Sequence, residues 1–209
     1  MEPFRSVTGI VAPLDRPNID TDQIVPARFL KRIERDGWGE VLFFDWRYLP
    51  DGSPDPDFVL NVPSYQQAQV LVTRRNVGSG SSREHAVWAI AQYGIRAVIA
   101  PSFADIFHKN CFENGVVPVI LPDEQVSAIM QTALASPGYR LTVDLDQCAV
   151  LDDQGLRIPF VVHEDPDSHE FRRHTLLNGL DEVALTLANE PDIASFESRR
   201  PRYLEPVGP

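Results

Sequence analysis

Cysteine is scarce in this chain: Cys111 and Cys148 are the only two in 209 residues. Two are too few for a disulfide framework, a structural zinc site or the four thiolates of an iron–sulfur cluster. The chain is therefore expected to bind no cofactor itself. Its five histidines, at 85, 108, 163, 169 and 174, lack the close pairing on one helix face that a metal helix carries, so no metal site is predicted. Basic residues are also in deficit, 19 Lys and Arg against 30 Asp and Glu, for a formal net charge of −11. That balance argues against a nucleic-acid binder and favours solubility. No apolar run approaches the roughly 20 residues that cross a bilayer. The opening Met1-Glu2-Pro3-Phe4-Arg5 has no signal-peptide core. A cytoplasmic protein without membrane contact is expected.

The chain is long enough for one substantial core, and its 43% hydrophobic content is ordinary for a globular protein. A single domain over residues 1–209 is expected, with a C-terminal helical extension and a flexible tail. The start reads as a strand from Val7 to Val11, followed by the turn-rich Asn18-Ile19-Asp20-Thr21-Asp22. A segment anchored by Trp38, Phe43-Phe44 and Trp46 runs into Pro50-Asp51-Gly52-Ser53-Pro54-Asp55-Pro56, a loop composition, and its length suits a lid or binding element. Gln69 to Arg75 has the β-branched content of a strand, and residues 83–93 place Ala86, Ile90, Ala91 and Tyr93 at near-helical spacing. After Gly94 come a strand from Ala97 to Ala100, a helix from Phe103 to Phe112 and a strand from Val116 to Leu121. This is the βαβαβ rhythm of a parallel sheet.

Asp123 is predicted to N-cap a helix running through Leu134, with Pro137-Gly138 as its stop. Arg140 to Leu145, Cys148 to Leu151 and Leu156 to Val162 break and alternate like short antiparallel strands. Two helices, Glu170 to Leu177 and Asp181 to Leu187, precede a proline-containing tail. The expected fold is α/β, with a mixed, partly parallel sheet or barrel, flanking helices, and the site at the C-terminal ends of parallel strands.

Between the strand and the helix lies Asn76-Val77-Gly78-Ser79-Gly80-Ser81-Ser82-Arg83-Glu84-His85-Ala86, where packing alone explains the composition poorly. A dinucleotide fingerprint would need a third glycine where Arg83 stands; a Walker loop would need Gly-Lys-Ser/Thr; a nucleophile elbow would need Gly-x-Ser-x-Gly. All three are absent. An anion-binding turn fits: unpaired amides at the positive end of a helix dipole hold a carboxylate, a phosphate or a transient oxyanion, and Arg83 adds a planar cation able to grip a carboxylate with two bonds. The competing assignment is that Ser81 or Ser82 caps the helix, the commonest task for serine there. For a serine to act as a base its alkoxide must be stabilised by several pK units, each worth about 1.36 kcal/mol. Glu84 and His85 follow Ser81 on the emerging helix, so His85 is expected to pack or bond locally rather than take the serine proton.

In order and spacing, Asn18-Ile19-Asp20-Thr21-Asp22-Gln23-Ile24-Val25-Pro26, Gly78 through Ala86, Pro101-Ser102-Phe103-Ala104-Asp105-Ile106-Phe107 and Asn178-Gly179-Leu180-Asp181 resemble the bacterial small subunit of 3-isopropylmalate dehydratase. The likeness runs from about Thr8 to Ser198 and includes Phe43-Phe44-Asp45-Trp46-Arg47 and Pro56-Asp57-Phe58-Val59-Leu60-Asn61. It implies an aconitase swivel-like β/β/α domain made as a separate chain. It also implies a heterodimer with a large subunit carrying a [4Fe–4S] cluster, and interconversion of 2- and 3-isopropylmalate through 2-isopropylmaleate in leucine biosynthesis. By the same resemblance Ser81 is the catalytic base, Arg83 binds a carboxylate of a small dicarboxylate substrate, and Ser79, Gly80 and Ser82 line the oxyanion-binding turn. Where the family often has cysteine, this chain has Ser79. Asp20 and Asp22 resemble the family's acidic pair or else form an Asx-turn. Arg28, Phe29 and Leu30 fall where the substrate-selecting loop is expected; Phe29 and Leu30 either face an isopropyl group or pack into the core. Homoaconitase and citraconate-type relatives differ in this region, and a stand-alone anion-binding module remains open beside them.

Overall fold

The computed structural model describes residues 1–199, so the end of the expected tail, from residue 200, lies outside the described residues. The first strand, β1 (Ser6–Leu14), is buried in two different ways along its length. From Ser6 to Gly9 exposed and buried residues alternate; from Val11 to Leu14 every residue is buried. Its pairing gives the reason. Ser6 to Ile10 run antiparallel to a late strand, whereas Ile10 to Leu14 run parallel to β2 (Ala68–Thr73), with a register shift between Ile10 and Val11. A parallel stretch covered on both faces needs continuous apolar residues, while an antiparallel stretch with one wet face alternates.

Between β1 and β2 lie two one-turn helices, α1 (Thr21–Ile24) and α2 (Phe44–Arg47), and four short 3-10 turns. The segment expected as a lid is largely a wall of the core. Trp38, Val41, Leu42 and Phe43 are buried, and the Asn61 side-chain amide ties the Pro50–Pro56 loop down by donating to Arg47 O (2.6 Å) and Asp55 O (2.8 Å).

The chain continues through α3 (Glu84–Tyr93), β3 (Ala97–Ala100), α4 (Asp105–Glu113), β4 (Val117–Ile120) and α5 (Asp123–Ala135). The meander β5 (Arg140–Asp144), β6 (Ala149–Leu151) and β7 (Arg157–Pro159) follows, then α6 (Pro166–Asn178), α7 (Glu182–Leu187) and α8 (Glu190–Ser198). The seven strands form one sheet in the order β4-β3-β2-β1-β5-β6-β7, parallel from β4 to β1 and antiparallel from β1 to β7. The mixed, partly parallel sheet with flanking helices is as expected.

Alternation in the strands divides the core. Leu71 and Val98 face α3, α4 and the 26–66 segment, meeting Ala86, Val87, Ile90, Phe107 and Trp38. Val70, Val72, Ile99 and Val119 face α5 and α6, meeting Val126, Ile129, Met130 and Leu176. Each large aliphatic side chain so buried contributes about 1.5–3 kcal/mol, which anchors α3 and fixes the direction in which its first turn points.

Several boundaries differ from expectation. Asp123 is the first residue of α5 rather than its cap; Pro122 holds the cap position without a side-chain bond. α6 begins at Pro166, before the predicted Glu170, because Asp165 caps it by accepting the Ser168 amide at 2.8 Å. α8 was not expected at all: Pro191 suggests a tail, yet proline sits in a helix's first turn without loss because that N–H needs no partner. Among the described residues no helix is long and apolar enough to cross a membrane.

Candidate functional site

The chain leaves the C-terminal ends of β1, β2 and β3 in three loops that zip together. Asn18 and Asn76, both left-handed (φ 57° and 64°), are joined by Asn76 Nδ2 donating to Asn18 Oδ1 at 2.9 Å. Asparagine is among the few residues that accept this conformation readily. Asn76 N donates to Ser102 Oγ (2.9 Å), Val77 N to Ser102 O (3.1 Å), and Ala104 N to Val77 O (2.9 Å). On the other side Gly78 N donates to Ile19 O (2.7 Å) and Thr21 N to Ser79 O (2.9 Å). Two isolated parallel bridges, Asp20 with Ser79 and Val77 with Phe103, complete the arrangement. Residues 18–22, 76–83 and 101–104 are thereby brought together at the C-terminal ends of parallel strands.

Gly78 is demanded by packing. Its φ is 76°, and an added Cβ would lie 2.0 Å from Phe107 Cγ. Gly80 (φ 98°) sits farther out against Thr21 and Asp20. Thr21 is 1% exposed, and its Oγ1 accepts the Ser81 amide at 3.2 Å. Burial of a threonine between two aspartates has no sequence signal, so Thr21 was missed, as was the pairing of Asn18, Asn76 and Ser102.

Neither serine caps α3. The cap residue is Arg83, in extended conformation (φ −97°, ψ 109°) and without a side-chain capping bond. Gly80, Ser81 and Ser82 are exposed, whereas Ser79 and Arg83 are half-buried. Among the described residues the Ser81 and Ser82 hydroxyls and the Gly80, Ser82 and Glu84 amides have no hydrogen-bond partner. The result is a surface of donors at the positive end of a ten-residue helix, suited to an anionic oxygen. The exposure of Gly80, Ser81 and Ser82 leaves the turn on open surface.

His85 and Glu84 are engaged elsewhere. The imidazole lies 4.6 Å from the Trp38 ring and 4.7 Å from the Trp88 ring, and Glu84 accepts from Asn114 Nδ2 at 3.1 Å. His85 thus packs locally, as expected.

Arg83 Nη1 donates to Asp22 Oδ1, and the same oxygen accepts the Ala27 amide at 3.1 Å. The hydrogen bond from Arg83 holds the Asp22 carboxyl below its ordinary value, against the opposing effect of burial. Asp20 closes a capping box on α1: its Oδ1 accepts the Gln23 amide (2.7 Å), and Gln23 Oε1 accepts the Asp20 amide (3.0 Å). Asp20 thus makes the local bonds of a turn through Oδ1 and its own amide. Arg28 pairs with Asp45, its guanidinium 4.8 Å from the Phe29 ring centroid, and Phe29 lies 4.9 Å from Phe44. Phe29 and Leu30 are half-buried and pack against the core, each with part of its side chain accessible.

Among the described residues no group of three or more His, Cys, Asp or Glu is placed to hold a metal ion. Cys111 is fully buried and its thiol is raised by that burial; Cys148 is partly buried and raised for the same reason. Neither is part of the turn.

The family model described as the aconitase C-terminal domain matches residues 1–124, and the one described as LeuD_N matches residues 127–164. A 3-isopropylmalate dehydratase small subunit of Brevibacillus brevis is 54% identical over 200 residues, covering 96% of this chain and 100% of that protein. The protein of the same name from Rhodopirellula baltica is 53% identical over 201 residues, covering 96% and 100%. A crystal structure of 3-isopropylmalate dehydratase (leuD) from Methanocaldococcus jannaschii superposes with a TM-score of 0.63 at 25% identity, covering 92% of this chain and 99% of that one. With relatives of this identity along nearly its whole length, and with the fold to match, the chain belongs to the 3-isopropylmalate dehydratase small-subunit family of aconitase swivel-type domains.

Proposed function

We propose that the chain is the small subunit of a hydro-lyase that interconverts 2-isopropylmalate and 3-isopropylmalate through 2-isopropylmaleate, and that it works only with a large subunit. The observation that carries this is the exposed turn Gly80 to Ser82 beside half-buried Arg83, a group of anion-binding donors open to a second chain, in a chain whose relatives are named as small subunits of this enzyme. An enzyme that expels water needs a closed site, and a second chain laid over the turn supplies the closure. We read residues 1–209 as one swivel domain with α6 to α8 as its C-terminal helical extension. Its two free cysteines fit the reducing cytoplasm.

Ser81 takes the carbon-bound proton next to a substrate carboxylate, and the hydroxyl leaves the neighbouring carbon, so the double bond forms and water is lost. Returning the proton and hydroxyl to the opposite carbons gives the isomer. Ser81 acts as an alkoxide, stabilised by the dipole of α3, the free amides of Gly80 and Ser82, and the Arg83 charge. Arg83 fixes one substrate carboxylate, and Ser79 stands at the inner wall of the turn. Arg28, Phe29 and Leu30 form the flank that meets the isopropyl group. The two cysteines of this chain are too few to hold a [4Fe–4S] cluster and lie away from the turn; the large subunit would hold it, and an iron left open to substrate would supply a Lewis acid for the departing hydroxyl.

The test is anaerobic mixing with a cluster-loaded large subunit, following the ultraviolet absorbance of the unsaturated intermediate. Turnover is expected only in the mixture, and is lost with Ser81→Ala while the complex persists. Turnover of isopropylmalate by this chain alone would refute the shared site.

A further inference from the structure

Asp22 is placed to hold another residue rather than to meet a ligand. One of its oxygens accepts both Arg83 Nη1 and the Ala27 amide. These donors belong to different parts of the site. Arg83 leads into α3, while Ala27 opens the 3-10 turn that carries Arg28 and Phe29. The Arg83 side chain is only 17% exposed against 55% for Asp22, so the arginine lies inward and the aspartate braces it from outside. Arg83 Nε and Nη2 have no partner among the described residues.

A guanidinium offers its five donors along fixed edges of a plane, and a carboxylate is bound with two bonds only when one edge faces it squarely. A carboxylate on the Nη1 side takes that position and leaves the Nε–Nη2 edge for another anion. The charge of Asp22 also argues against direct contact with substrate: a bare anion beside a dicarboxylate repels it, whereas an aspartate already paired with Arg83 has its charge neutralised locally.

We infer that Asp22 is a positioning residue: it aims the Nε–Nη2 edge of Arg83 at a substrate carboxylate and ties that arginine to the segment bearing Phe29 and Leu30, coupling carboxylate binding to side-chain selection. This rests on the reading of Arg83 as the carboxylate-binding group. The arginine for one end of the substrate and the start of the segment for the other end are then tied to a single oxygen atom, and loosening either one loosens the other.

The experiment compares wild type, Asp22→Ala, Asp22→Asn, Arg83→Lys and the Asp22→Ala/Arg83→Lys double variant in the assembled heterodimer, with amide hydrogen exchange of each purified chain alongside. Loss of a binding interaction made equally in ground and transition states raises KM, so Asp22→Ala is expected to raise KM for isopropylmalate about tenfold or more and to change kcat less than about threefold. Asp22→Asn retains an oxygen acceptor and recovers part of the loss. In the Arg83→Lys background, removing Asp22 is expected to change KM less than about twofold, because an ammonium has no edges to orient. Amides 27–30 exchange faster in Asp22→Ala. An unchanged KM, an equal loss in both backgrounds, or unaltered exchange at Ala27 overturns the inference. If the wild-type heterodimer has no isopropylmalate turnover, the functional reading fails, and the exchange data still decide whether Asp22 holds the Ala27 segment.

Discussion

Replacing Gly78 by alanine puts the packing beneath the serine turn to the test. An alanine there must hold φ at 76°, and its Cβ would fall 2.0 Å from Phe107 Cγ and 2.3 Å from Phe107 Cβ. Rotating the Phe107 ring does not relieve the second contact, because Cβ is fixed to the backbone of α4. The left-handed conformation costs about 1–2 kcal/mol for a residue with a Cβ, and forcing extra volume into a packed site costs about 1–3 more, for a total of about 2–5 kcal/mol. For a chain of this size that lowers Tm by about 5–20 °C. Gly94 is the control: its φ is 110°, yet no heavy atom lies within 4 Å of an added Cβ, so Gly94→Ala bears only the conformational part, about 1–2 kcal/mol. Urea denaturation of both variants reads the difference directly. Adding Phe107→Ala to Gly78→Ala is expected to give no rescue, since the clashing Cβ remains. Equal losses for Gly78→Ala and Gly94→Ala, within about 0.5 kcal/mol, would refute the steric argument.

Ser81→Ala is expected to leave stability within about 0.5 kcal/mol, because Ser81 caps nothing; a loss near 1 kcal/mol in urea denaturation would restore the capping role. Burial, reinforced by nearby Arg172, lowers the His108 pKa to about 4. The unfolded chain then binds a proton near the ordinary histidine pKa while the folded chain does not, so stability falls as pH drops from about 6.5 towards 4. In His108→Gln that fall should be shallower across the same window in denaturation midpoints, and an unchanged slope would count against it. Asp22 titrates below the ordinary aspartate value because Arg83 donates to it, so whatever stability the pair supplies is present above that ordinary value and lost as pH falls through the lowered one. An NMR titration should show the Asp22 midpoint rising in Arg83→Gln; a midpoint that stays put would break the attribution.

The serine turn was legible because its signal is local: Gly78 to Arg83 sits between a β-branched run and a helical period, and each is a short-range pattern. β2, α3 and the βαβαβ rhythm of the parallel strands were legible for the same reason. What surrounds the turn was not, because it depends on bonds between loops distant in sequence. Arg83 and Asp22 are 61 residues apart, and Asn76 and Asn18 are 58 apart. The capping assignment for Ser81 and Ser82 failed because propensity reports residue type, whereas the cap is decided by where extended backbone gives way to helix, here at Arg83. The short helical turns between Ala27 and Tyr65 escaped because each has too few residues to display a period.

The divided pairing of β1 also sets an order of events during synthesis. Its second half finds β2 within the first 73 residues, and the loops of the serine turn are all made by residue 104, so the end of the sheet that bears the turn can assemble early. Its first half waits for Arg140 to Asp144. Until those residues leave the ribosome, Ser6 to Ile10 present an open strand edge, the kind of surface to which another nascent chain adds. Chains ending before Arg140 should therefore aggregate even though every residue of the serine turn has been made, and the meander β5 to β7, which contributes no residue to that turn, protects the nascent protein by closing that edge.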